Sequence, residues 1–220
     1  MKRIGISQRL DFYADRGERR DALDQRWAEF LWPLGLIAVP LPSLCPDSVS
    51  YITALKLDGF ILSGGNDIGE APERDDLEYT ILKYAKINFL PVIGVCRGME
   101  LMNVFSGGRL RDVTGHVSVT HDIFGSFSDK YGIKHVNSYH SVGCMCDDIG
   151  PELSVVAQSN DGVVEAVHHK RLPWLGIMWH PERNCPYTPE DSQVFKDNFG
   201  VSDESNHSSG WSRQPIAPSY

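Results

Sequence analysis

The sequence predicts an α/β protein built on a mostly parallel sheet, and three features predict it. Short runs rich in Ile, Val and Leu alternate with stretches whose apolar residues recur at helical spacing, the pattern of βα units. The run from Pro91 to Val95 is apolar throughout, as a strand covered on both faces must be. The chain has 220 residues, 41% hydrophobic and 23% charged, a size and balance suited to one domain with a substantial core rather than to a disordered or fibrous chain.

Taken in order, Arg3 to Ser7 reads as the first strand. From Asp21 to Leu34, the positions Leu23, Trp27, Phe30, Leu31 and Leu34 line one helix face, with Pro33 and Gly35 marking its end. Leu36 to Leu41 is a second strand, Val49 to Leu55 a short helix, and Gly59 to Leu62 a third strand running into Ser63-Gly64-Gly65. Asp75 and Asp76 can start a helix through Leu77, Ile81, Leu82 and Ala85, followed by the strand that stops at Cys96. Beyond Gly107 the runs shorten, at His135 to His140, Leu153 to Gln158, Val163 to His168 and Leu175 to Trp179, separated by Gly, Asn and Asp turns, which points to a few antiparallel strands in the second half. Pro189 to Phe199 reads as a closing helix. The domain is thus expected over 1–199, and 200–220, with too few core formers, is expected to be a polar, disordered tail.

Bulk properties exclude several classes. A net charge of -8 leaves no basic stripe for a phosphate backbone, so a small-molecule substrate or another protein is expected rather than nucleic acid. No run approaches the roughly 18 to 20 apolar residues of a membrane span, and the opening strand lacks a leader pattern, so the expected location is cytoplasmic. Five cysteines, an odd number, argue against a disulfide framework. Cys144-Met145-Cys146 lacks C-x-x-C spacing and no metal site is expected there.

Chemistry concentrates in Gly94-Val95-Cys96-Arg97-Gly98, a G-x-C-x-G elbow. A buried strand turning sharply into a helix needs small residues on both sides of the turning position, whose side chain is left exposed at the strand's carboxyl end. A cysteine there gains a helix N-terminus, which lowers a thiol pKa and offers free N–H groups to an oxyanion. A base is offered by Trp179-His180-Pro181-Glu182 at the end of a late strand, with Glu182 placed to orient the imidazole. Carboxyl ends of parallel strands share one edge, so Cys96 and His180 can meet. The turn Ser63-Gly64-Gly65-Asn66-Asp67 can aim N–H groups inward and complete an oxyanion hole.

These three elements in this order resemble the class I glutamine amidotransferase-like superfamily over almost the whole chain to Phe199. The Cys-Arg-Gly elbow with Ser-Gly-Gly-Asn-Asp looks like its γ-glutamyl hydrolase branch, the γ-glutamyl-γ-aminobutyrate hydrolase-like peptidases. Ile4 to Leu10, the Trp27 helix and Pro40-Leu41-Pro42 are most similar to hydrolases of γ-glutamyl-CDP-amidate from bacterial capsule clusters. The resemblance implies a flavodoxin-like three-layer sandwich, a γ-glutamyl thioester on Cys96, release of glutamate, and no metal or organic cofactor. It implies Cys96, His180 and Glu182 as the catalytic set and the backbone N–H groups of Arg97 and of Gly65 or Gly64 as the oxyanion hole. Asn137-Ser138-Tyr139-His140 matches a segment that contacts the glutamyl backbone. One position departs: the family usually carries glutamine where this chain has Glu100, a residue that helps hold the amino-acid head, so Glu100 is expected to be turned away or protonated unless the head group differs.

Arg9, Asn66, Asp67, Arg109 and Arg111 are candidates to face the leaving group, Arg9 foremost, although surface ion pairs explain the arginines equally well. Other readings remain open at this level. They are a glutaminase subunit delivering ammonia to a separate synthetase, an inactive binding module of the same fold, and an α/β-hydrolase whose acid would be Asp147, Asp148 or Asp161.

Overall fold

The computed structural model describes residues 1–202, so the tail expected from 200 onward lies outside the described residues from 203. In chain order the strands and helices are β1 (Lys2–Ile6), β2 (Arg9–Tyr13), β3 (Glu18–Ala22), α1 (Arg26–Leu31), β4 (Leu36–Pro40), α2 (Ser48–Leu55), β5 (Gly59–Leu62), α3 (Pro72–Asn88), β6 (Val92–Val95), α4 (Arg97–Phe105), β7 (Arg111–Asp112), β8 (Val117–Phe124), α5 (Ser126–Tyr131), β9 (His135–Tyr139), β10 (Val142–Gly143), β11 (Leu153–Ser159), β12 (Val164–His169), β13 (Trp174–Ile177) and α6 (Pro189–Phe199).

The main sheet runs β4-β1-β5-β6-β13-β12-β11-β8-β9. From β4 to β13 neighbours are parallel; from β13 to β9 they are antiparallel. The expected α/β architecture is therefore present, with its antiparallel strands drawn from the second half of the chain. Side chains alternate across the sheet: Ile61, Ile93, Val95 and Ile177 join Trp27, Phe30, Phe195 and Phe199 on one face, while Phe60, Leu62 and Val92 join Leu77, Ile81, Met99 and Met102 on the other. Both faces are covered by helices, which makes three layers.

Several boundaries differ from the sequence expectation. The helix expected from Asp21 begins at Arg26, because Asp21 and Ala22 belong to β3, which pairs with β2 in a separate hairpin. It closes in a 3₁₀ turn, Trp32–Leu34, ended by Gly35 at φ 77, and the expected inward face of Trp27, Phe30, Leu31 and Leu34 is buried. Helix α3 begins at Pro72, not Asp75, since proline at the first helical position needs no N–H partner. Strand β8 is mostly exposed, and no apolar run in the sequence marks it.

The edge that matters is where β5, β6 and β13 end side by side. Among the described residues no helix is long and apolar enough to cross a membrane.

Candidate active site

The chain leaves β6 at Cys96, whose backbone sits at φ 54, ψ -112, a left-handed conformation that costs a non-glycine residue of order 1–3 kcal/mol. Close approach explains the flanking glycines. A Cβ on Gly98 would lie 2.1 Å from the Leu62 carbonyl oxygen, and one on Gly94 2.5 Å from the Gly98 oxygen. The strain holds Cys96 at the mouth of α4, with its N–H on the Ile177 oxygen at 2.7 Å, which locks β6 to β13 at the level of the elbow.

His180 follows β13 and is 2% exposed, as is Glu182. The Nδ1 of His180 lies 2.7 Å from Glu182 Oε1, so Nδ1 carries the proton and Nε2 is left as the acceptor. A Cβ built on Gly64 would stand 2.7 Å from His180 Cε1, 3.4 Å from His180 Nε2 and 3.6 Å from Cys96 Cβ. Cys96, His180 and the Gly-Gly turn thus converge on one point, and a side chain at position 64 would displace the imidazole.

The turn is held from outside. Arg74, fully buried on α3, donates to the carbonyl oxygens of Ser63 at 2.6 Å, Gly64 at 3.1 Å and Gly65 at 3.2 Å. Peptide N–H groups point opposite to the preceding carbonyl, so those of Gly64 and Gly65 are aimed away from Arg74, as an oxyanion hole requires. Arg74 also bonds Glu78 at 3.0 Å, and Glu78 and Asp75 in turn pair with the Arg97 side chain. The Arg97 side chain is therefore turned into this buried network and only its backbone N–H remains for the site. Sequence reasoning misses Arg74, because an arginine four residues before Glu78 on a helix reads as half of a surface pair.

Electrostatics correct one expectation. Burial pushes the Cys96 thiol from 9.0 up to about 12, with Glu100 adding to the rise and the Arg97 backbone N–H opposing it. The helix N-terminus does not prevail, because the thiolate would be desolvated beside a carboxylate. Cys96 therefore rests as a neutral thiol. Glu100, 4% exposed, is raised by burial from 4.5 to about 7, with Asp67 adding and Arg97 opposing; of the options left by the sequence, protonation is the one the surroundings favour.

The segment expected to touch the glutamyl backbone divides. Asn137 donates to the His180 oxygen at 2.9 Å and accepts from the His180 N–H at 2.8 Å, and buried Ser138 donates to the His116 oxygen at 2.7 Å. Both side chains are engaged by the backbone around His180 and His116. Tyr139 is the exposed member, its ring 5.7 Å from that of His180, with the Arg183 guanidinium 4.6 Å from the tyrosine ring centre. A cavity of about 80 Å³ beside the site is lined by Arg9, Gly64, Gly65, His180, Glu182 and Arg183, which supports Arg9 and adds Arg183. Arg109 and Arg111 instead pair with Asp148 at 3.5 and 2.5 Å, and Asn66 exchanges hydrogen bonds with the Leu10 backbone at 2.7 and 3.1 Å, fastening the β2–β3 hairpin to the turn. A separate cavity of about 430 Å³ between α5, α6 and the sheet includes none of these groups.

A strained cysteine elbow, a strand-borne histidine with its carboxylate and a Gly-Gly turn on one sheet edge agree with the likeness of this chain to known proteins. Residues 36–201 match the family model described as glutamine amidotransferase class-I. A γ-glutamyl-CDP-amidate hydrolase from Campylobacter jejuni subsp. jejuni serotype O:2 is 30% identical over 205 residues, covering 90% of this chain and 98% of the relative. One subunit of a glutamine-hydrolysing GMP synthase from Methanothrix thermoacetophila is 30% identical over 145 residues, covering 64% of this chain and 75% of its own. The glutaminase domain of Trypanosoma brucei CTPS with bound acivicin superposes with a TM-score of 0.66 at 17% identity, covering 92% of this chain and 95% of that domain. The chain belongs to the class I glutamine amidotransferase family, within its γ-glutamyl hydrolase branch, and is a hydrolase of amide C–N bonds.

Proposed function

We propose that the chain hydrolyses a γ-glutamyl amide through a thioester on Cys96, with γ-glutamyl-CDP-amidate as the favoured substrate. His180 Nε2 takes the thiol proton as Sγ bonds to the γ-carbonyl carbon, and the N–H groups of Arg97 and of Gly64 or Gly65 hold the resulting oxyanion. Collapse breaks the C–N bond, and His180 returns its proton to the leaving nitrogen. Water then attacks the thioester, its proton passing through His180 to Sγ as the S–C bond breaks, and glutamate leaves. Glu182 keeps Nδ1 protonated throughout.

The convergence of Cys96 Cβ and the His180 ring on the Gly64 point carries this reading. The anionic leaving group is supported by Arg9 and Arg183 in the adjoining cavity and by the near end-to-end match to the Campylobacter hydrolase. The test is glutamate release by wild type and Cys96→Ala from glutamine, γ-glutamyl-γ-aminobutyrate and γ-glutamyl-CDP-amidate. Turnover of the CDP-amidate that disappears in the variant supports the reading; turnover unaffected by the substitution overturns it.

A second reading, a glutaminase subunit delivering ammonia to a separate synthetase, is favoured by the Methanothrix relative. It predicts that only glutamine is turned over, and only when the synthetase partner is added.

A further inference from the structure

We propose that His116, His121, His140 and Glu165 hold one structural Zn²⁺ beside the candidate active site. His116 precedes β8, His121 lies within it, His140 follows β9 and Glu165 is on β12. Their ligand atoms all lie within 4.8 Å of one another. His116 Nδ1, His121 Nε2 and His140 Nε2 stand 3.4, 3.5 and 3.6 Å from Glu165 Oε1. Ligands at about 2.0–2.1 Å from a tetrahedral zinc are about 3.4 Å apart, so the carboxylate already sits at the correct edge length from each imidazole.

Each imidazole meets an oxygen at its outward nitrogen. His116 Nε2 faces Asp161 Oδ2 at 2.9 Å, His140 Nδ1 faces the Val142 oxygen at 2.9 Å, and His121 Nδ1 faces the Asp122 oxygen at 3.3 Å. Each of these oxygens can take the outward proton of a neutral imidazole, which would leave three lone pairs directed inward for a cation. Those inward atoms, with both Glu165 oxygens, have no hydrogen-bond partner. His116 and His140 are 3% exposed and Glu165 0%. Acceptors buried face to face in this way repel, and burying them is costly without a cation between them.

The surroundings fit zinc. An imidazole-rich donor set suits a borderline metal rather than magnesium or calcium. The Asp161–His116 pair has the form of a carboxylate–histidine–zinc relay, and Asp161 is itself fixed by Ser159 Oγ at 2.5 Å. Four protein ligands close the shell, which marks the role as structural. The ion would tie β8, β9 and β12 together one residue past Tyr139, whose ring meets His180. The Glu165 backbone oxygen also accepts the Met178 N–H at 2.9 Å, two residues before that base.

The test uses the tag-free full chain. Zinc content is measured as purified, and chelator-stripped protein is titrated with ZnCl₂ in competition with a chromophoric chelator, then with CoCl₂. One zinc per chain is expected, with a melting temperature that falls on stripping and returns with ZnCl₂ alone, and with the strong visible bands of tetrahedral cobalt. Asp161→Asn should weaken zinc binding roughly 10- to 100-fold, and Glu165→Gln should weaken it further. His121→Gln, at the most accessible ligand, serves if Glu165→Gln does not fold. Stripped protein that takes up no zinc, variants that bind it with wild-type affinity, or a cobalt spectrum with thiolate charge transfer from Cys144 or Cys146 would each overturn the site.

Discussion

The buried 2.7 Å contact between His180 Nδ1 and Glu182 Oε1 fixes which imidazole nitrogen can act as base. In Glu182→Gln the amide can present its N–H to Nδ1, favouring the tautomer whose Nε2 already carries a proton. The expected outcome is a loss of roughly 10² to 10⁴ in kcat/KM with KM little changed, checked by steady-state glutamate release. A loss confined to KM would show that Glu182 orients no base.

Gly64 is expected to tolerate no side chain, although its backbone is not in the left-handed region. In Gly64→Ala the new methyl would stand 2.7 Å from His180 Cε1, and the ring must move. A displacement near 1 Å costs about 100-fold in rate. The melting temperature should change by a few degrees at most, since the clash falls on one side chain at the site and not on the sheet. Wild-type kcat in this variant would contradict the convergence of Cys96 and His180 on that turn.

Legibility in the sequence follows locality. Strands β5 and β6, the elbow at Cys96 and the His180–Glu182 pair are readable because apolar runs, flanking glycines and a two-residue spacing are local signals. The hairpin β2–β3 is not, because Glu18–Ala22 is almost wholly polar and neither strand is buried against the core. Arg74 cannot be told from a surface residue until the turn it grips is in place. The cluster of His116, His121, His140 and Glu165 spans four segments at irregular spacing, and only the pairing of β8 with β9 and of β11 with its two neighbours assembles it. Helix dipole reasoning at Cys96 fails for the complementary reason: burial and Glu100 act through space, and both depend on the fold.

Arg9 and Arg183 are expected to separate substrates. Both line the small cavity beyond His180 and Glu182, and both are partly solvated, so each contributes modestly. The double substitution to alanine should raise KM for γ-glutamyl-CDP-amidate about 10-fold or more while leaving glutamine nearly unaffected, measured by parallel kinetics on the two compounds. Equal effects on both would assign the arginines to folding or to the glutamyl head.

Glu100 gives the sharpest pH dependence. Its carboxyl is raised from 4.5 to about 7, so below pH 7 it is mainly neutral, donating and accepting one hydrogen bond as the family's glutamine amide does. Above pH 7 it becomes a carboxylate close to where the substrate's own carboxylate is expected to lie. KM for the γ-glutamyl substrate should therefore rise as pH increases through 7 in wild type and stay flat in Glu100→Gln. Stability follows the same sign. The folded state binds more protons than the unfolded between about 4.5 and 7, so the carboxyl's contribution falls as pH rises through that window and is then constant. Glu100→Gln should gain up to about 3 kcal/mol relative to wild type at pH 8 compared with pH 4, read from paired urea melts at the two values. A variant whose advantage does not grow with pH would place Glu100 as an ordinary carboxylate in the folded protein, and a charged residue would then have to be accommodated at the amino-acid head.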